Sequence, residues 1–386
     1  MDTLSLPLSS PNARFWMGGA ELFNRWVEAI DGAEKEIHLQ MYIYAADSTG
    51  ELITAALERA VQRGVQVWLL IDAYGSWEMP VVFVRRLREG GIRFRWFSPL
   101  LVGGRVNVGR RLHHKLLVVD GNLLFVGGIN VADHYRGTAE HLPWLDFAVE
   151  AQGHVAAHAA QICAQLFGRV MGSRVKENPS ATRTGANVRL MRNDWYRRKN
   201  AIHRNYQELL KAATAEVWIV NSYFLPSNKL LKLIISTRKR GVRVRMVLPG
   251  ISDVPSLRQA TLYFYDKLLR AGVEIYELQT RILHGKLLAV DGRWLSVGSY
   301  NLNALSQFFS LEANLWLEDV ELVPQVAQQL ERILALECRA VDPNSFRNSS
   351  RLLQLSRWLW VGVFRVTYRL FSILFDARTR RSLHSY

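Results

Sequence analysis

Short apolar runs alternate along this chain with segments whose apolar positions recur at helical spacing, and the whole series of blocks is written twice. AEKEIHLQMYIYAAD at 33–47 returns as ATAEVWIVNSYFLPS at 213–227, and RGVQVWLLIDAYGS at 63–76 returns as RGVRVRMVLPGISD at 240–253. Each apolar run has the pattern of a buried strand. Between them, ELITAALERAVQ (51–62) and NKLLKLIISTRKR (228–240) have the spacing of helices that end near a glycine. A second helix precedes GGIRFRW (90–96) in one half and AGVEIYE (271–277) in the other, each a further strand. Strands alternating with helices predict an α/β fold, a mixed sheet flanked by helices in each half.

The longest repeated phrase is LHHKLLVVDGNLLFVGGIN at 112–130 and LHGKLLAVDGRWLSVGSYN at 283–301, identical at twelve of nineteen positions. An Asp-Gly pair between apolar runs is a strong hairpin signal, so Asp120 and Asp291 are expected at turns, supporting loop geometry. Because side chains alternate across a strand, His113 and Lys115 share one face while His114 looks the other way, and His284 and Lys286 repeat the arrangement. Partners stay close to the 171 residues that separate the two histidines, which makes the chain a duplicated domain. Residues 1–171 form the first copy and 188–345 the second, joined by the polar GSRVKENPSATRTGAN linker at 172–187 and followed by a tail at 346–386.

Length agrees with two copies, since 386 residues exceed one ordinary core. The formal charge of +15 points toward anionic partners such as nucleic acid, phospholipid headgroups or phosphorylated metabolites, without choosing among them. Cys163 and Cys338 cannot build a disulfide framework and are expected as small buried hydrophobes. MDTLSLPLSSPNAR at the start has no cationic segment and no long apolar run, so neither a signal peptide nor a span is expected there, and the chain is placed on the cytoplasmic side.

Taken singly, a histidine, lysine or aspartate on an apolar strand is most simply a packed or paired residue. Duplication changes the weighing. A pseudo-twofold axis would bring two imidazoles, two ammoniums and two carboxamides to one place. That inventory suits a phosphodiester: one imidazole attacks phosphorus, the other protonates the departing alkoxide, and Lys115, Lys286, Asn130 and Asn301 hold the non-bridging oxygens. No metal and no cofactor is required. Zinc is the competing chemistry, but His113 and His114 point apart, and His154 and His158 lack a nearby third ligand.

Both phrases fit H-x-K-x4-D-x6-G-[GS]-x-N and so resemble the signature of the phospholipase D superfamily, with His113, Lys115, Asp120, Gly127 and Asn130 in one copy and His284, Lys286, Asp291, Gly298 and Asn301 in the other. The resemblance implies two phospholipase D-like domains, a phosphohistidine intermediate with double displacement, and a catalytic set of His113, Lys115, Asp120, His284, Lys286 and Asp291. By the same resemblance His113 is the nucleophile and His284 the general acid and base, with the exchanged assignment left open. It also implies an orienting carboxylate after each motif, Asp146 and Glu312. DAYGS at 72–76, RVNVGRRLHHK at 105–115, NSYFLPS at 221–227 and SYNLNALSQFFSLEAN at 299–314 look like the B-type bacterial cardiolipin synthases. Gly128 in place of the commoner Ser, Asn303 in place of Asp, and Leu305 in place of Arg depart from the superfamily pattern. The implied activity is phosphatidyl transfer between two phosphatidylglycerols, giving cardiolipin and glycerol; a hydrolase or nuclease of the superfamily and a lipid-binding scaffold are the alternatives.

A lipid substrate requires access to a membrane surface. In RLLQLSRWLWVGVFRVTYRLFSILF (351–375), helical winding gathers Arg351, Gln354, Arg357, Arg365, Arg369 and Ser372 in one arc, with Trp358, Trp360, Phe364, Tyr368, Phe371 and Leu374 filling much of the rest. This is the pattern of an amphipathic interfacial helix, cationic toward headgroups and aromatic toward acyl chains, and its charges argue against a full span. The expectation is a peripheral enzyme of the cell membrane whose partners are phospholipid substrates and the membrane surface, with no nucleic acid and no obligate protein partner.

Overall fold

The computed structural model of the protein describes residues 7–11, 13–99, 101–102, 105–106, 110–170, 187–194, 199–344 and 351–383. The first half runs β1 (Leu8–Ser9), β2 (Ala13–Trp16), α1 (Gly19–Asp31), β3 (Glu36–Met41), α2 (Ser48–Gln62), β4 (Gln66–Asp72), α3 (Val81–Glu89) and β5 (Arg93–Phe97). It continues through β6 (Leu101–Val102), β7 (Arg105–Val106), β8 (Arg111–Leu112), β9 (Leu116–Val119), β10 (Leu123–Gly127), α4 (Asp133–Arg136), β11 (Ala148–Gln152) and α5 (His154–Val170). The second half opens with β12 (Val188–Asp194), β13 (Lys199–Asn200), α6 (Ala201–Ala212), β14 (Glu216–Asn221), α7 (Asn228–Lys239), β15 (Arg243–Pro249), α8 (Pro255–Arg270) and β16 (Glu274–Leu278). It closes with β17 (Lys286–Val290), β18 (Trp294–Gly298), α9 (Ala304–Phe308), β19 (Ser310–Glu318), α10 (Leu322–Glu337), β20 (Cys338–Ala340) and α11 (Arg351–Leu383). Of the expected linker, 172–186 lies outside the described residues.

The strand order β2-β11-β10-β9-β3-β4-β5 in one sheet is repeated by β12-β19-β18-β17-β14-β15-β16 in the other. In both, the strands that alternate with helices pair in parallel and the motif hairpin pairs antiparallel, so each sheet is mixed. The hairpins turn as the Asp-Gly pairs predict. Asp120 and Gly121 have φ of 52° and 62°, Asp291 and Gly292 of 52° and 59°, a left-handed pair that matches the twist of the flanking strands.

These strands are apolar throughout because both faces are covered. Along β9, Leu116 and Val118 face a core shared between the halves while Leu117 and Val119 face the one under α1 and α2. In β17, Leu287 and Ala289 join the shared core, and Leu288 and Val290 the one under α6 to α8. Helices α5 and α10 also contribute to the shared core, which therefore joins the two sheets into one body. Cys163 is buried in that core, as expected, whereas Cys338 is only half-buried against it.

The C-terminal helix departs from its expected disposition. Val361, Phe364 and Tyr368, at helical spacing, pack into the core of the second half, so Phe364 and Tyr368 serve the protein's own packing. Leu352, Leu355, Trp358, Leu359, Val363 and Val366 remain exposed, which keeps a second apolar face open. Side chains at 351, 369 and 371–375 lie outside the described residues. Among the described residues no helix is long and apolar enough to cross a membrane.

The turn aspartates tie each hairpin to the strand beside it. Asp120 accepts the backbone N–H groups of Glu34, Lys35 and Glu36 at 2.8–2.9 Å. Asp291 accepts those of Thr214, Ala215 and Glu216, together with the Thr214 hydroxyl, at 2.8–2.9 Å. Removing such an acceptor leaves amides without partners, so Asp120→Ala is expected to lower the unfolding free energy by about 2 kcal/mol, read from urea denaturation. A loss below about 0.5 kcal/mol, the range of a neutral surface change, would contradict this role.

Candidate active site

Each motif histidine is delivered to the site by backbone that has crossed to the other half. Strand β8 leaves the first sheet and runs parallel to β19, with Arg111 N–H donating to Phe309 O and His113 N–H donating to Leu311 O, both at 3.0 Å. Asp72 fixes this approach by accepting Leu112 N–H at 2.7 Å, with Tyr74 and Gly75 N–H on its other oxygen at 2.9 and 3.0 Å. Around the second histidine, Leu145 N–H donates to Ile282 O at 2.9 Å, and His284 and Gly285 N–H both donate to Leu145 O, at 2.8 and 2.9 Å. The crossing therefore occurs once in each direction.

The consequence is an exchange of carboxylates. Chain order puts Asp146 after the first motif and Glu312 after the second, but in space Glu312 Oε2 lies 2.9 Å from His113 Nδ1 and Asp146 Oδ2 lies 2.6 Å from His284 Nδ1. An ionised carboxylate only accepts, so each Nδ1 carries the proton and each Nε2 keeps its lone pair. Lys286 Nζ stands 3.0 Å from the same Nδ1 of His284, yet a nitrogen that donates to Asp146 has no lone pair to offer, and the ammonium donates to the His284 carbonyl.

The supports of the two carboxylates differ. Ser299 donates its hydroxyl to Glu312 Oε2. At the matching place stands Gly128, where an added Cβ would sit 2.2 Å from Asp146 Oδ1, so the departure from Ser reflects a lack of space. Asp146 instead takes its own next amide, Phe147 N–H, at 2.7 Å. The glycines just before, Gly127 and Gly298, let β10 and β18 approach the neighbouring backbone, since a Cβ at either would lie 2.3 Å from a carbonyl oxygen. Gly285, where the first half has His114, is covered by the Phe147 ring at 2.4 Å from its would-be Cβ. His114 faces away, as its parity predicts, and pairs with Gln40 at 3.0 Å.

Both motif lysines are buried at the site. Lys115 donates to His113 O at 3.0 Å and lies 5.1 Å over the ring of Tyr42; Lys286 lies 5.6 Å over the ring of Tyr223. Burial pulls the Lys115 ammonium down to about 7, against the attraction of Glu312 and with help from Lys286, and it pulls Lys286 down to about 8 against Asp146 and Asp253. Burial likewise lowers both imidazoles, offset at His113 by Glu312 and reinforced at His284 by Lys286, Lys115 and His113. The charges of both lysines act on both imidazoles, so the four groups lie close together. Burial raises Asp146 to about 6, opposed by Lys286. In the free site burial therefore works against the charged form of both lysines and both imidazoles, a cost that an arriving anion relieves.

Asn130 and Asn301 border the cluster with their amides engaged in the fold. Asn130 accepts Ile43 N–H at 3.0 Å and donates to the Tyr135 hydroxyl at 2.8 Å; Asn301 accepts the Ser222 hydroxyl at 3.0 Å. Asp120 and Asp291 are not brought to the cluster, being held at the hairpin turns. Asn303, the other departure, caps α9 by accepting Ser306 N–H at 3.0 Å and donates to Tyr223 O at 3.2 Å. Sequence reasoning missed the aromatic wall. Tyr42 stands edge-on to His113 at 4.9 Å, and Tyr135 and Tyr223 stand edge-on to His284 at 5.2 and 5.9 Å. Two of these tyrosines lie in the repeated segments YIYAAD and SYFLPS, where a conspicuous aromatic at the end of an apolar run was the available signal.

The lysine shifts fix a pH dependence. A lysine whose folded value lies near 7 or 8 is charged below it and neutral above, so binding of inorganic phosphate weakens as pH rises from 6.5 to 9. Calorimetric titration is expected to show at least about a tenfold loss of affinity across that interval; a flat profile would contradict the cationic cluster.

The repeated fold is shared with known proteins. The family described as cardiolipin synthase, PLD-like domain, matches residues 26–142 and 206–334, one segment in each half. Cardiolipin synthase B of Shigella flexneri and that of Escherichia coli K12 are each 32% identical over 332 residues, covering 84% of this chain and 80% of theirs. Cardiolipin synthase of Geobacillus kaustophilus is 29% identical over 307 residues, 78% of this chain and 61% of its own. Among solved structures, phosphatidylserine synthase of Haemophilus influenzae superposes with a TM-score of 0.70 at 15% identity, over 96% of this chain and 97% of that one, so the fold is shared. The chain belongs to the cardiolipin synthase family of phospholipase D-like proteins.

Proposed function

We propose that this protein transfers a phosphatidyl group from one phospholipid to the hydroxyl of another, with two phosphatidylglycerols giving cardiolipin and glycerol. The observation that carries the reading is the pair of imidazoles, each held through Nδ1 by a carboxylate of the opposite half and each accompanied by a buried lysine. In the first step the Nε2 lone pair of His113 attacks phosphorus, the bond to the glycerol oxygen breaks, and His284 gives a proton to that oxygen. In the second step the incoming lipid hydroxyl gives its proton to His284 and attacks phosphorus, and the P–N bond breaks to restore His113. Lys115 and Lys286 stabilise the charge that builds on the non-bridging oxygens. Because the phosphodiester is itself an anion, its arrival offsets the burial that lowers the His284 imidazole and lets that ring carry the proton it must donate. One phosphodiester replaces another, so no nucleotide has to drive the exchange.

In this reading Asn130 and Asn301 shape the phosphate pocket, Asp146 and Glu312 orient the rings, and Asp120 and Asp291 hold the hairpins. The two halves correspond to residues 1–171 and 188–345. The exposed apolar residues of α11, with Arg365 beside them, form a peripheral membrane contact in the tail at 346–386.

Incubation with phosphatidylglycerol vesicles followed by thin-layer chromatography is expected to show cardiolipin and glycerol; phosphatidic acid alone would mean hydrolysis. His113→Ala and His284→Ala should each reduce turnover by about a thousandfold or more while the protein stays folded, and substantial activity in either would remove the two-histidine mechanism. Gly128→Ala should reduce turnover by about a hundredfold by displacing Asp146 from His284, an effect checked by the loss of the His284 Nδ1 proton resonance in NMR spectra.

A further inference from the structure

Three of the four carboxylates at the site are buried and engaged in positioning. Asp72 holds backbone amides, Asp146 holds His284 and Glu312 holds His113. The fourth, Asp253, is exposed on the loop between β15 and α8. That loop is braced by Ser252, whose hydroxyl accepts Val254 N–H at 3.1 Å, and by Gly250 N–H donating to Leu278 O at 2.9 Å. Tyr223 donates its hydroxyl to Asp253 Oδ2, and the same ring stands edge-on to His284 and beneath Lys286. The charge of Asp253 reaches Lys286, His134 and Tyr135. Among the described residues Oδ1 has no hydrogen-bond donor.

A carboxylate beside a phosphate site repels the phosphate, so its place there calls for a different partner. A neutral polyol offers hydroxyl donors, and a hydroxyl donating to a carboxylate makes a strong, short bond. Asp253 is on the His284 side, where the alcohol departs in the first step and arrives in the second. The repeat places Ser76 at the matching position of the first half, and its hydroxyl is already used, donating to Tyr42 O at 3.1 Å and accepting Tyr44 N–H at 2.9 Å. At this position of the repeat the second half carries a carboxylate and the first half does not.

We propose that Asp253, positioned by Tyr223, accepts a hydrogen bond from the neighbouring hydroxyl of the acceptor and thereby selects a glycerol-type alcohol over water and simple alcohols. This assignment rests on phosphatidyl transfer with His284 as the acid and base. Water and a monohydric alcohol reach phosphorus with no second hydroxyl to anchor them, whereas a glycerol headgroup is held at two points.

The test offers deuterated glycerol and 1-propanol at equal concentration to the full chain acting on phosphatidylglycerol vesicles, with both phosphatidyl products counted by mass spectrometry. Their ratio is set after the intermediate has formed and does not depend on the overall rate. The wild type is expected to favour glycerol at least about tenfold, Asp253→Asn to lose about tenfold of that preference, and Asp253→Glu to keep most of it, with unchanged thermal melting. A wild type without preference, or an Asp253→Asn ratio within about twofold of wild type, would overturn the assignment. A wild type that forms neither product, nor cardiolipin, nor phosphatidic acid would remove phosphatidyl transfer itself, and one that forms cardiolipin but neither product would overturn this assignment alone.

Discussion

The crossed hydrogen bonds between imidazole and carboxylate are the constraint from which the rest of the architecture follows. Glu312 can orient His113 only if β19 lies against the segment before the first motif, and Asp146 can orient His284 only if the chain near Leu145 lies against the segment before the second. Each requirement is met by backbone pairing between halves, and the shared apolar core behind β9, β10, β17 and β18 holds the pairing in place. Neither half contains a complete site. Catalytic geometry and the association of the halves are therefore one structural problem with one solution.

Burial makes that solution electrostatically tense. Two lysines and two histidines are removed from water close to one another, with Glu312 and Asp146 bonded to the two rings and Asp72 and Asp253 acting on the lysines. An anionic substrate would favour the charged form of these lysines and imidazoles and so offset their burial. A site of this kind is preorganised for the transition state, because its donors are fixed before the extra negative charge appears. The aromatic rings of Tyr42, Tyr135 and Tyr223 pack against the histidines, and those of Tyr42 and Tyr223 also against the lysines.

Much of this was legible in the sequence because duplication prints the same physical requirement twice. The apolar runs at 36–41 and 216–221, the helices that follow them, and the Asp-Gly turns all fall where periodicity and turn chemistry put them. The parity of His113, His114 and Lys115 was readable for the same reason. What the linear pattern could not carry was the exchange between halves: Asp146 and Glu312 were visible as acids after the motifs, but nothing local says which ring an acid will reach. Gly128 stands out in the sequence as a departure from Ser, and only the structure gives the reason, since Asp146 leaves no room for a side chain there. The tail shows the same limit, since α11 has apolar residues on more than one face and only tertiary contact with α8 decides that Val361 and Tyr368 turn inward.

The contact between Phe147 and Gly285 makes the two halves unequal. Were two copies of the N-terminal half to associate with each other, His114 would fall where Gly285 now lies and its Cβ would strike the phenyl ring. Were two C-terminal halves to do so, Ala313 would replace Phe147 and leave a void over the glycine. At this contact the two halves fit each other and not a second copy of themselves, so the repeat is a pair of complementary parts and not of interchangeable ones.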